Sequence, residues 1–531
     1  MNPKFKIAGW ITIGALTGAL ATIQLQAIAR GTISPLPLEQ IQEFAAVFGI
    51  IKTSYVEPTD EHKLMQDAIS GMVAGLDPHS QYLGPEDFKE FRESTSGKFV
   101  GVGIEITQED GLVKIVSPIE GSPAYRAGIQ SGDLITRIDD TEVRGLTLQQ
   151  AVQRMRGEPN TKVVLTIFRK SENRTFTVPI IRAEIQTQSV KARIIEPGYG
   201  WIRVSQFQDN TVAAFVTKIN ELYQQDPNLK GLVLDLRNDP GGLLDAAVAI
   251  SSAFLPENTV VVSTNGQLEE SKYTFKSDPQ YYVRLSPLEM AGRSRNQTLQ
   301  LMAQRDPLRA LPEGIKTVPL VILVNEGSAS ASEIVAGALQ DNKRATVMGA
   351  QTFGKGSVQT IRPLSENTGI KLTTALYYTP SGSSIQAKGI VPDILLAENE
   401  DGSSPLAALY TREADLLRHL TVNEEDAKAA AERRANRDAA INRLQNGSDD
   451  KTALPRPPEY GSDEDFRLRQ ALNFLQGKPV IIAQADESKA DSETDKPAAS
   501  SSDAEKPEAA PGITERVLPL EPVTPEPAPA Q

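Results

Sequence analysis

The sequence predicts an α+β multidomain chain, and three observations carry that expectation. At 531 residues it is long enough for two or three domains and a sizeable core. Twice, an apolar run of strand length ends in a glycine-containing break and then a helical pattern. Leu232 to Arg237 leads through Asn238-Asp239-Pro240-Gly241-Gly242 into Leu243 to Phe254, and Val318 to Val324 leads through Asn325-Glu326-Gly327 into Ser330 to Gln340. Residues 97–185 read differently, as a glycine-rich succession of short strands with one helix, and helical patterns occupy both ends of the chain.

Taken in order, Lys4 and Lys6 precede a largely apolar run from Ile7 to Leu25, and Ala27-Ile28-Ala29 has the small-x-small form of a cleavage site. Residues 1–29 are therefore expected to be a secretory signal peptide cut after Ala29 or, uncut, an inner-membrane anchor. Either outcome exports the rest, and the periplasm is the expected compartment. Residues 36–96 form a helical region. Its second helix starts at the cap-like Pro58-Thr59-Asp60-Glu61, carries Leu64, Met65, Ala68, Ile69, Met72 and Val73 as one stripe, and closes at Gly75.

In residues 97–185, Val100-Gly101-Val102-Gly103-Ile104 leads to Leu112 to Val116, then Ser122-Pro123-Ala124, Ala127-Gly128-Ile129 and Gly132-Asp133-Leu134-Ile135. A helix from Leu148 to Arg156 and a strand from Lys162 to Phe168 follow. This ordering resembles a PDZ domain. The resemblance implies that an extended peptide is added as a further strand, its terminal carboxylate held on backbone N–H groups of the loop Phe99, Val100, Gly101, Val102 and Gly103.

From residue 186 to 400 a mixed α/β unit is expected. The strand ending at Asn238 to Gly242 gathers bare N–H groups at one point, as an oxyanion hole requires. Asp235 and Arg237 read as a structural ion pair beneath that turn. Residues 266–313 are a polar insertion containing Tyr281-Tyr282: a lid, a docking surface or a plain surface excursion. Ser328, Ser330 and Ser332 cluster at a helix N-terminus, where the macrodipole stabilises an alkoxide. The only histidines are His62, His79 and His419, none nearby in sequence. Lys355, between Gly354 and Gly356, can act as base where burial lowers its pKa. The alternative is a set of capping serines and a solvated lysine. Gly349-x-x-x-x-Gly354-Lys355 approaches a phosphate loop but has Gly356 in place of Ser or Thr and precedes a strand-like run, so nucleotide binding is rejected.

Gly327-Ser-Ala-Ser-Ala-Ser-Glu-Ile334, followed by Thr352-Phe-Gly-Lys-Gly-Ser-Val-Gln359, resembles the carboxyl-terminal processing peptidases, tail-specific serine proteases with a PDZ domain and a Ser–Lys dyad. Leu76-Asp77-Pro78-His79-Ser80-Gln81-Tyr82 and Gly389-Ile390-Val391-Pro392-Asp393 are also similar, and the likeness spans about residues 40–400. It implies a PDZ domain inserted before a mixed α/β, ClpP/crotonase-like protease core, with helical N- and C-terminal regions. On the matching positions it implies Ser330 as nucleophile, Lys355 as general base and Gln359 as the lysine's orienting partner. The Ala331 N–H would form the oxyanion hole with Gly241 or Gly242. Arg156 matches an arginine that links the PDZ domain to the protease site in some relatives. Asn160 stands where relatives often carry glycine, and Asn tolerates the left-handed backbone. His79 is then structural.

The function implied is an exported endopeptidase that captures apolar C-terminal tails and cleaves upstream through an acyl-enzyme, with no metal or cofactor. Two other readings are an inactive PDZ scaffold and a protease silent until a periplasmic adaptor docks on the helical ends. Residues 401–480 are expected to be helical and to pack on the N-terminal helices within one chain or across a homo-oligomer. Residues 481–531 are rich in Pro, Ala, Ser, Asp and Glu; from Asp486 onward, 11 acids against 4 bases supply −7 of the net −13. Such a tail is expected to be disordered. The acidic balance argues against nucleic acid, and the absence of cysteine removes thiol catalysis and disulfides.

Overall fold

The central sheet has six strands in the order Val190–Glu196, Tyr199–Val204, Gly231–Asp235, Leu320–Val324, Thr346–Gly349 and Ile394–Leu395. The first pair is an antiparallel hairpin and the remaining pairs are parallel. In this computed structural model residues 37–109, 111–400, 410–421 and 459–483 are described, with isolated positions between 428 and 437. The described residues fall in one compact unit ending at Ala483.

Both faces of the parallel strands are covered, which is why Leu232 to Leu236 and Val321 to Val324 read as continuous apolar runs rather than alternating ones. On one face Ile202, Leu232, Leu234, Ile322 and Val347 pack against the helices Thr211–Gln225, Leu244–Phe254 and Ala331–Asp341. On the other, Trp201, Val233, Val321, Leu323 and Met348 meet Leu468, Ala471 and Leu472 of the helix Phe466–Leu475. Of the C-terminal region expected on the N-terminal helices, the helix Phe466–Leu475 lies under the core sheet, while Arg418 donates to the Ala74 carbonyl of the helix Glu61–Ala74. The leucines of Phe466–Leu475 fill that face of the sheet, and Asp465, which caps the helix at Leu468, accepts both arms of the Arg237 guanidinium at 2.8 and 2.6 Å. Arg237 also clasps Asp235, so the predicted ion pair is a triad. The expected amphipathic segment Asp465 to Leu475 is the helix Phe466–Leu475, capped by Asp465. Residues 410–421 carry only the 3-10 turn Glu413–Asp415, and of Glu424–Leu444 only isolated positions are described.

A separate β unit holds its own core of Val113, Ile115, Ile135, Leu165 and Ile167. Its strands run Ile104–Glu109, Leu112–Pro118, Leu134–Ile138, Lys162–Arg169 and Arg174–Ile181. The helix Leu148–Met155 begins with a capping box between Thr147 and Gln150. The chain enters and leaves this unit through a two-stranded ribbon, Lys98–Gly101 against Ala183–Gln186. Asn160 takes φ +65°, the left-handed backbone its position demands.

A third sheet links Gln81–Leu83, Gly369–Tyr378, Val260–Asn265 and Tyr273–Lys276, with Ser357–Pro363 paired to Gly369–Tyr378. Much of the polar insertion packs on the protein. Phe275, Tyr281, Tyr282, Leu308 and Leu311 lie against the main core, and Arg284 pairs with Asp209 and Asp245. In the N-terminal region Asp60 caps the helix Glu61–Ala74, while the helix Leu38–Ser54 buries no side chain.

Candidate active site

The buried strand Leu320–Val324 ends in a turn that turns the chain back into the helix Ala331–Asp341, and Ser330 is the pivot. It adopts φ +57° and ψ −112°, outside the ordinary regions for a residue with a side chain, at a cost of about 1–3 kcal/mol. Its neighbours differ in a way the sequence could not reveal. Ser328 Oγ donates to the Leu236 carbonyl at 2.8 Å, and Ser332 Oγ is committed to the carbonyls of Ala329 and Asp239 at 2.7 and 2.9 Å. Both are fully buried. Ser330 retains some exposure, and its hydroxyl donates to nothing among the described residues.

Glu333 holds this geometry, and the sequence reading gave it no role. Its buried carboxylate accepts the Ser330 N–H at 2.7 Å and the Lys355 N–H at 2.9 Å on one oxygen. The other oxygen accepts the Thr352 hydroxyl at 2.5 Å and the Gly354 N–H at 2.7 Å. One side chain thus ties the serine's backbone to the lysine's loop. Burial pushes it up to about 7 despite the four donors. A signal existed: an acid three residues past a helix-entry serine is the capping-box position.

Lys355 follows the strand Thr346–Gly349 on a loop that Gly354, at φ +96°, lets pass close to residues 387–389. Burial pushes its ammonium down to about 8 and Lys371 adds to the push, while the carboxylates of Glu413, Glu333 and Asp77 pull the other way. A lysine near 8 supplies a substantial neutral fraction at mildly alkaline pH. No hydrogen bond joins Lys355 Nζ to Ser330 Oγ among the described residues. Gln359, expected on the lysine, donates instead to Ser357 Oγ at 2.9 Å and Thr373 Oγ1 at 3.3 Å. A bulge between Val358 and Gln359 shifts its register against Gly369–Tyr378.

The glycine turn lies against Ser330: a Cβ on Gly241 would stand 2.8 Å from both the Ala331 nitrogen and Ser330 Cβ. The Gly241 N–H is already bonded to Asp239 Oδ1 at 2.8 Å. Those of Gly242 and Ala331 donate to nothing among the described residues. Asp239 is fully buried, and burial holds its carboxyl well above the usual range.

The expected carboxylate loop divides in two. Phe99, Val100 and Gly101 belong to the ribbon strand paired with Ala183–Gln186. Val102 and Gly103 lie beyond it, and their N–H groups donate to nothing among the described residues, while their carbonyls accept from Ala124 and Ile119. The adjoining strand Ile104–Glu109 is the free edge of its sheet. Arg156 does not reach the serine site. It pairs with Glu93 of the helix Pro85–Ser96 at 2.7 Å and lies over the Phe99 ring. His79 bonds Glu413 at 2.8 Å, which places its motif beside the lysine loop. No cluster suited to a metal ion occurs among the described residues.

Residues 198–396 match the profile of Peptidase family S41, residues 114–169 that of a PDZ domain, and residues 16–87 that of the activating protease CtpB N-terminal domain. The chain is 39% identical over 448 residues to the carboxy-terminal-processing protease of Bartonella bacilliformis, across 83% of this chain and 89% of that protein. It is 35% identical over 391 residues to a probable CtpA-like serine protease of Staphylococcus aureus, across 73% and 71%. Among solved structures, the photosystem II D1 C-terminal processing protease is 31% identical with a TM-score of 0.37, across 66% of this chain and 86% of that one.

Proposed function

The chain belongs to the carboxy-terminal-processing proteases of peptidase family S41 and carries a PDZ domain; on that premise we propose that it is an exported endopeptidase working through a Ser330–Lys355 dyad. A protein tail with an apolar C-terminus adds to the free edge Ile104–Glu109, its carboxylate on the N–H groups of Val102 and Gly103. Neutral Lys355 takes the Ser330 proton as Oγ attacks the scissile carbonyl. The oxyanion forms against the N–H groups of Ala331 and Gly242, the two that the fold leaves undonated at this point. The lysine ammonium then protonates the leaving amine, and water hydrolyses the acyl-enzyme with Lys355 again as base. Export rests on residues 1–29, which lie outside the described residues.

The observation that carries this reading is the division among the three serines: two hydroxyls are locked onto carbonyls, and the third sits strained, its backbone tied through Glu333 to the loop of a lysine whose ammonium burial has destabilised. Ser330→Ala and Lys355→Arg are each expected to abolish fluorophosphonate labelling and tail cleavage, whereas Ser328→Ala and Ser332→Ala retain both. Guanidinium stays protonated and cannot accept the proton. Near-normal turnover by Lys355→Arg would overturn the dyad.

A second reading, protease activity that waits for a partner, is favoured by the resting geometry. Lys355 is not yet bonded to Ser330, and Arg156 is held by Glu93. Activation by an adaptor or by the tail would bring serine and lysine into contact. Turnover that is constant with and without a periplasmic extract would exclude it.

A further inference from the structure

Residues 410–421 lie beyond the matched peptidase stretch, yet they close over the loop that carries Lys355. The Arg412 guanidinium donates to the Thr352 carbonyl at 3.2 Å, to Gln351 Oε1 at 2.7 Å and to the Lys388 carbonyl at 2.9 Å. It therefore ties together the two chain segments flanking the lysine. The Glu413 N–H donates to the Phe353 carbonyl at 3.0 Å. Its fully buried carboxylate accepts Gln386 Nε2 at 2.9 Å, and Gln386 Oε1 in turn accepts the Gly356 N–H at 3.0 Å. The other Glu413 oxygen meets His79 at 2.8 Å. The residues on either side of Lys355 in the chain are thus held, directly or through one amide, by two consecutive residues of this strap.

We propose that Arg412 and Glu413 are positioning residues for Lys355, Arg412 by fixing the loop and Glu413 by setting the charge that the lysine faces. This rests on Lys355 being the base. The charged groups around it come from four elements: Lys371 on the strand Gly369–Tyr378, Glu333 on the serine helix, Asp77 in the motif before Gln81, and Glu413 on the strap, with His79 bonded to the last. Lys371 opposes protonation of Lys355 and the three carboxylates favour it. A buried unit charge close by moves such a group by about one unit or more. The strap and Lys371 therefore pull the working pH in opposite directions.

The test is the rate of fluorophosphonate labelling of full-length protein across pH 5 to 10, with melting temperatures recorded alongside. Glu413→Gln keeps an amide in the carboxyl's place, and the upper midpoint is expected to fall by about one unit. Below the wild-type midpoint, labelling then rises up to about tenfold. Lys371→Met is expected to raise the midpoint by a similar amount. Arg412→Lys is expected to lower the alkaline plateau about tenfold or more with the midpoint unmoved, because it changes position and not charge. The Glu413→Gln shift must persist in a His79→Asn background, which separates lysine titration from histidine titration. Unmoved midpoints in both charge variants, or an unchanged plateau in Arg412→Lys, overturn the proposal. Should Arg412→Lys fold poorly, the two charge variants still decide the electrostatic half. Activity surviving in Lys355→Met would instead sink the dyad itself, a result distinct from unmoved midpoints in a chain where Lys355 is essential.

Discussion

The acid limb of the rate profile is expected to be steeper than a single base allows, because two groups beside Ser330 must each lose a proton. In the proposed dyad Lys355 must be neutral to accept the serine proton, and burial sets it at about 8. Glu333 must be ionised to accept all four donors at once, and burial sets it at about 7. A protonated carboxyl facing the N–H groups of Ser330, Lys355 and Gly354 turns one acceptor into a donor, so at least one tie between serine and lysine loop fails. At pH 6, about one lysine in a hundred is neutral and about one Glu333 in ten is ionised. Their product gives a rate ~10⁻³ of the plateau, against ~10⁻² for the lysine alone. Log kcat/KM for a tail peptide should rise with slope about 1 between pH 7 and 8 and steepen toward 2 below about 7. Glu333→Gln abolishes the steep portion while lowering the plateau, since its amide cannot accept from every donor. A slope of 1 maintained down to pH 5 in the wild type would refute the role given to Glu333.

Two further outcomes follow from the glycine turn. Gly242→Ala should lose about 10²-fold or more in kcat: at φ +144° a Cβ there would meet the Phe207 carbonyl oxygen at 2.0 Å, so the turn that presents its N–H must move; unaltered kcat would remove Gly242 from the oxyanion hole. Asp239→Asn should stabilise the protein increasingly as pH rises above the ordinary carboxylate value of 3.8. Asp239 Oδ2 is buried without a partner among the described residues, and the carboxyl is held well above its unfolded value of 3.8. The fold therefore keeps a proton that the unfolded chain releases, and stability drains as pH climbs above that value; a melting-temperature difference flat across that range would contradict the argument.

What the sequence made legible was local. Strand runs buried on both faces, helix starts with polar caps, and glycine breaks are written in consecutive residues, so the strand Leu320–Val324 and the helix Ala331–Asp341 fall within two residues of their expected limits. The three serines were legible as a group but not as individuals, because what separates them is a carbonyl of Leu236 and one of Asp239, about ninety residues earlier. Between Gly241 and Gly242 the difference is local but conformational: the Asp239 side chain bonds its own turn and takes up the Gly241 N–H. Arg156 and Gln359 were placed by likeness to relatives, and the structure finds both turned toward other partners, Glu93 and Thr373. The strap escaped because its charged, alanine-containing surroundings read as helix, whereas Arg412 and Glu413 serve the lysine loop only once residues 351–356 and 386–388 lie beside them.

The strained conformation of Ser330 explains why so much of the chain converges here. A backbone costing about 1–3 kcal/mol persists only when its surroundings leave no alternative. Glu333 fixes the serine from its own helix, and the Asp239 carbonyl accepts the Ala329 N–H from the glycine turn. Beneath that turn, Asp235 and Arg237 are locked to Asp465, at the start of a helix more than two hundred residues later. A buried ion network of this kind contributes little net stability over an apolar packing, but removing one partner would leave an uncompensated buried charge. The glycine turn that follows Arg237 lies against Ser330, and the strap holds the lysine loop through Thr352 and Phe353. The matched peptidase stretch carries Ser330, Lys355 and the Glu333 carboxylate that ties them, and Asp465, Arg412 and Glu413 outside it add further holds on the same turn and loop.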